Sequence, residues 1–103
     1  MKIYLAGKIT GDKDYYDKFG VYKMWQEWHD HTVLSPADLP EDMAPADYMR
    51  ICFAMLETAD AAAFLPDWES SAGARLERAW CEYTGKRIVD LAPVDGLGAI
   101  KEG

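Results

Sequence analysis

Strand-like and helix-like segments alternate along this chain from its first residues to its ninetieth. Lys2-Ile-Tyr-Leu-Ala6 is short, apolar and β-prone, and it stops at Gly7. From Asp14 to His29 the apolar residues Tyr15, Phe19, Tyr22, Trp25 and Trp28 recur at helical spacing, interrupted by Gly20. Thr32 to Ser35 reads as a second strand, with Pro36 and Pro40 marking the loop after it. Pro45 suits a first helical turn, and Tyr48, Ile51, Cys52, Met55 and Ala59 then keep one apolar face through about Thr58. Asp60 to Leu65 is apolar almost throughout, the pattern of a strand covered on both faces. Pro66 to Ser71 is a loop, and Ala72 to Thr84 is a third helix ended by Gly85, a good residue just past a helix. Lys86 to Leu91 is a fourth strand, and the last dozen residues either add a short edge strand or fray.

Such alternation predicts an α/β chain: a three-layer sandwich with a parallel sheet and right-handed crossovers. The expected sheet is flavodoxin-like, with four to five strands in the order 2-1-3-4(-5). Ligands bind such sheets beyond the carboxyl ends of the strands, where the order reverses. Here that point lies between strands 1 and 3, so the loops Gly7–Asp12 and Pro66–Ser71 are the expected functional segments.

The 103 residues fit one domain, residues 1–103, and leave no room for a second. With 13% aromatic residues the chain carries too much core material for disorder. Eleven Lys and Arg against 18 Asp and Glu give a net charge of −7, which argues against gripping a nucleic-acid backbone. Only Cys52 and Cys81, with His29 and His31, are available as soft ligands, and no metal-site spacing exists among them. The sparse cysteines suggest a reducing compartment. No apolar run is long enough for a signal peptide or a membrane span, so the expected location is the cytoplasm, with no membrane partner.

The chemistry concentrates in Asp67-Trp-Glu-Ser-Ser-Ala-Gly-Ala-Arg-Leu-Glu77. Ser70 or Ser71 suits the cap of the third helix, and the free amides of Ala72, Gly73 and Ala74 then suit an anion. Gly73 is a poor residue for a first turn unless something approaches where its Cβ would stand. Leu76, Ala79, Trp80 and Tyr83 make the expected buried stripe, with Glu77 at its boundary on the side of Gly73. A carboxylate there is positioned to attack a ligand or steady a developing cation; its competing role is to complement the helix dipole. Trp68 is a candidate stacking platform. Cys52 and Cys81 read as small core residues, and the two histidines receive no role.

Ile3-Tyr-Leu-Ala-Gly7, then Ala59-Asp60 before an apolar strand, then Ser71-x-Gly73-x-x-x-Glu77-x-Ala79 together resemble the nucleoside 2-deoxyribosyltransferase-like superfamily. That group includes 2′-deoxynucleoside 5′-monophosphate N-glycosidases and cytidine monophosphate hydrolases. The string Leu65-Pro-x-Trp-Glu-x-Ser-x-Gly-Ala74 resembles a small phage and bacterial branch, which implies a bacterial or phage-infected host cytosol. The resemblance implies that Glu77 is the nucleophile and that Tyr4 orients it. It implies that Gly7, Lys8, Ile9, Thr10 and Gly11 wrap base and sugar, and that Ser71 receives a 5′-phosphate. Two positions depart from the family pattern: Thr10 stands where the monophosphate hydrolases have an arginine, and Cys52 near the place of a helix-2 aspartate.

The implied reaction is cleavage or exchange of the N-glycosidic bond of a (deoxy)nucleotide or nucleoside through a glutamate nucleophile. It needs no metal and no cofactor. The rival is a non-catalytic nucleotide-binding protein that senses or sequesters a nucleotide-like signal, which the Cys52 departure favours. A homo-oligomer, dimer or higher, is expected on the same resemblance.

Overall fold

The computed structural model describes residues 1–93, in which four parallel strands and three helices alternate as expected. Strands β1 (Lys2–Ala6), β2 (Thr32–Leu34), β3 (Ala61–Phe64) and β4 (Arg87–Asp90) form one sheet in the order β2-β1-β3-β4. In register, Tyr4 of β1 lies between Leu34 of β2 and Ala62 of β3. This is an α/β, flavodoxin-like arrangement. The optional fifth strand falls among residues 94–103, outside the described residues.

The helices α1 (Tyr15–Trp28), α2 (Pro45–Thr58) and α3 (Ala72–Thr84) cover the sheet unequally. Side chains alternate across a strand, so Ile3 and Leu5 face one layer and Tyr4 and Ala6 the other. On the first side Ile3, Leu5, Ala63 and Leu65 pack against Phe19 and Tyr22 of α1. On the second, Tyr4, Ala62 and Phe64 pack against Cys52 and Leu56 of α2 and Ala74 and Cys81 of α3. The three alanines of β3 are fully buried, and their small side chains let helices approach from both sides. Local signals bound two of these helices: Pro45 opens α2, Ser71 caps α3, and Gly85 ends α3 in the left-handed region at φ 81°. No helix among the described residues is long and apolar enough to cross a membrane.

The face that α3 buries differs from the expected stripe. Ala74, Glu77 and Cys81 turn inward, whereas Leu76 is 59% and Tyr83 92% exposed. Tyr4 and Phe64 already fill the layer beneath α3, so the small Ala74 and Cys81 let the helix sit close to them, and Glu77 turns inward to accept from the Tyr4 hydroxyl. Trp28, expected on the apolar face of α1, is likewise exposed at the helix end, where Trp25 and His29 contact it.

Candidate active site

Beyond the carboxyl ends of β1 and β3 the loops diverge around a cavity of about 1050 Å³. Its floor is made by Tyr4 from β1, Cys52 from α2 and Glu77 from α3. The Tyr4 hydroxyl donates a 2.5 Å hydrogen bond to Glu77 Oε2, and both residues are buried. Burial pushes the Glu77 carboxyl up to about 7, although the bond from Tyr4 pulls the other way. Burial and the neighbouring carboxylate raise the Tyr4 phenol well above its ordinary range. The Cys52 thiol, next to the Tyr4 hydroxyl, is raised by burial to about 11. Near neutral pH the floor therefore holds one group, Glu77, that is poised to exchange a proton.

The loop after β1 forms one wall. Gly7 is required by close approach: a Cβ there would stand 2.9 Å from Leu65 Cβ at the end of β3. Gly11, at φ 82°, adopts a conformation that favours glycine. Ile9 and Thr10 also line this wall. Lys8 does not; its amide donates to Asp67 Oδ1 at 3.1 Å instead.

The two ligand-facing loops are tied together by a residue to which sequence reasoning gave no role. Lys18 Nζ donates to Asp67 Oδ2 at 2.5 Å, to the Lys8 carbonyl at 2.9 Å, and to the Asp12 carboxylate. Asp12 is held below the usual carboxylate range by that contact with Lys18. The clasp joins positions 12, 18 and 67. The available signal was an acid in each of the two loops and one lysine in the first turn of α1.

The start of α3 forms the opposite wall. Ser71, rather than Ser70, is the cap, and its Oγ accepts the Ala74 amide at 3.1 Å. Of the three amides expected to be free for an anion, Ala74 is thus engaged, which leaves Ala72 and Gly73 beside Ser71 on the cavity wall. A Cβ at Gly73 would meet Met49 Cε of α2 at 3.3 Å. Trp68 lies away from the cavity: its ring packs edge-on against Phe64 at 5.8 Å, and the Arg78 guanidinium covers it at 4.5 Å. The stacking surfaces on the cavity wall are Tyr15 and Tyr48. Tyr15 donates to Glu41 Oε1 at 3.1 Å, and Tyr48 donates to the Pro40 carbonyl. Neither tyrosine had been expected there, because both occupy core-like positions in helical periods.

Among the described residues no cluster of His, Cys, Asp and Glu suits a metal ion. A family model described as "Domain of unknown function (DUF4406)" matches residues 1–90. No curated protein matches the chain. Among solved structures it is similar to a 2-deoxyribosyltransferase from the psychrotolerant bacterium Bacillus psychrosaccharolyticus, with a TM-score of 0.64 and 21% identity over 90% of this chain and 73% of that one. A 2-desoxiribosyltransferase from Leishmania mexicana gives 0.70 and 15%, over 98% and 78% of the two chains. A conserved protein from Enterococcus faecalis V583 gives 0.66 and 17%, over 93% of this chain and 65% of that one. The fold is thus that of the nucleoside 2-deoxyribosyltransferase-like proteins.

Proposed function

We propose a function for this chain, which belongs to the DUF4406 family: it cleaves or exchanges the N-glycosidic bond of a nucleoside or nucleotide, with Glu77 as nucleophile. The observation that carries this reading is the buried Tyr4–Glu77 pair on the floor of a cavity large enough for a nucleotide-sized ligand. A Glu77 oxygen attacks C1′ of the sugar, and the bond from C1′ to the base nitrogen breaks through an oxocarbenium-like state. The resulting glycosyl ester is released by water, or by a second base. Tyr4 holds the rotamer of Glu77 and supports its charged form. The loop Gly7–Gly11 holds base and sugar, while Ser71 with the Ala72 and Gly73 amides suits a 5′-phosphate. Similarity to structures named 2-deoxyribosyltransferase supports the reaction class.

Free-base release across a panel of nucleosides and 5′-monophosphates tests this, with Glu77→Gln as the control. Release by the wild type and none by the variant is the expected result; equal release by both removes Glu77 from the role. Cys52 beside Tyr4 favours a second reading, ligand binding without chemistry. It predicts thermal stabilisation by a nucleotide with no turnover.

We also propose that the chain works as a homo-oligomer. Leu76 at the cavity wall and Tyr83 two turns further along α3 are exposed, and a second copy would cover them. Light scattering reads this directly, and a monomeric mass would refute it.

A further inference from the structure

Leaving-group chemistry sets what the cavity can process. A neutral nucleoside loses its base as an anion unless a proton reaches the base as the bond breaks. General acids do that work, and they need a proton that is both close and readily given up. Buried around Glu77, the proton-bearing side chains are Tyr4, which already donates to Glu77, and the thiols of Cys52 and Cys81. All three hold their protons tightly, at pKa values raised by burial. The remaining wall carboxylates are committed elsewhere: Asp12 to Lys18 and to the Asp14 amide, and Glu41 to the Tyr15 hydroxyl. Neither histidine lines the cavity; His29 packs on Trp25 and Trp28, and His31 Nδ1 lies 3.1 Å from the N-terminal amine.

The wall is also built to receive positive charge. Asp12, Glu41 and Glu77 bring three carboxylates to it against one cation, Lys13. Lys18, the cation nearest to Asp12, is shared with Asp67 outside the wall. Tyr15 and Tyr48 add ring faces, which attract a cation electrostatically.

We infer that the site processes N-glycosides whose base already carries a positive charge, such as N-alkylated purinium or pyridinium nucleosides. The inference rests on the N-glycosidase reading and narrows its substrate class. The step balances without a protein acid. A Glu77 oxygen bonds to C1′, the C1′–N bond breaks, and its electron pair neutralises the cationic ring, so the base departs uncharged. Water then attacks C1′, Glu77 leaves as a carboxylate, and the spare proton goes to solvent.

The test compares 7-methylguanosine with guanosine, and their 2′-deoxy counterparts, each corrected for its spontaneous rate. The expected result is a kcat/KM for the methylated member at least about 100-fold higher, the lower end of what a general acid supplies. Equal rates, or faster release from guanosine, would overturn the inference while leaving the N-glycosidase reading intact. Release from no member of these pairs, nor from the wider nucleoside and monophosphate panel, would overturn both.

Discussion

The Tyr4 hydroxyl and the Glu77 carboxylate meet at 2.5 Å in the interior, at 1% and 5% exposure. One comes from β1 and the other from α3, so the contact exists only when both elements are in place. A hydrogen bond to a charged group contributes about 1.5–3 kcal/mol, and it favours the ionised carboxylate. Tyr4→Phe removes it, so the Glu77 pKa rises above its present value of about 7. At 1.36 kcal/mol per unit, the rising limb of the pH–rate profile moves alkaline by about one to two pH units. A limb that stays in place would show that Tyr4 does not support the carboxylate.

Glu77 also makes folding depend on pH. Its folded pKa of about 7 lies above the ordinary 4.5, with burial as the first cause. The group therefore favours folding fully below pH 4.5, and that contribution is lost as pH rises through 7. The difference corresponds to about 3 kcal/mol. Glu77→Gln is expected to abolish base release on the proposed mechanism, to keep an acceptor for Tyr4 and to remove the dependence. Thermal melts are expected to superpose at pH 4.5 and to place the variant above the wild type at pH 8. A variant less stable than the wild type at pH 8 would contradict the burial argument.

Much of this was legible because it is written in local pattern. Short apolar β-prone runs and period-3.6 segments, with Pro45, Gly7 and Gly85 as punctuation, define the elements, and their alternation implies a parallel sheet. The switch-point rule then singles out the loops that carry Gly7 and Ser71, and the resemblance singles out Tyr4 and Glu77. What local pattern does not encode is how far a helix rotates about its axis. On α3 the apolar residues Leu76 and Tyr83 face out, because Tyr4 and Phe64 are covered by the small Ala74 and Cys81, while Glu77 faces in to accept the hydrogen bond from Tyr4. The Lys18 clasp was invisible for a related reason, since Asp67 lies 49 residues from Lys18 and only the folded sheet brings them together. Trp68 looked like a ligand platform by its place in the loop, yet Phe64 and Arg78 already occupy its ring.

Gly7 and Gly20 are expected to respond oppositely to alanine. At Gly7 the added Cβ stands 2.9 Å from Leu65 Cβ, an atom fixed to the backbone of a fully buried residue. Overpacking of this kind costs about 1–3 kcal/mol, and the loop that follows must shift away from the cavity. Gly20 lies inside α1 with nothing within 4 Å of a Cβ. Gly20→Ala should add about 0.5–1 kcal/mol of stability through helix propensity. Denaturant midpoints of the two variants read both effects; a stable Gly7→Ala protein would refute the close-approach account.

Ser71 has two proposed duties that two substitutions separate. Its Oγ accepts the Ala74 amide at 3.1 Å, which caps α3, and its proton is left to donate to a ligand phosphate. Ser71→Ala loses both, at a cost of about 1 kcal/mol in stability for the cap. Loss of a bond to a charged group, worth about 1.5–3 kcal/mol, lowers affinity for a 5′-monophosphate by at least about tenfold. Ser71→Asp keeps the cap, since aspartate is as good an N-cap as serine. Its carboxylate repels a phosphate, so the melting temperature should hold while monophosphate affinity falls. Calorimetric titration of a nucleoside and its 5′-monophosphate on all three proteins reads the outcome. Unchanged monophosphate affinity in Ser71→Asp, or equal affinity of the wild type for both forms, would remove phosphate recognition and leave Ser71 as a cap alone.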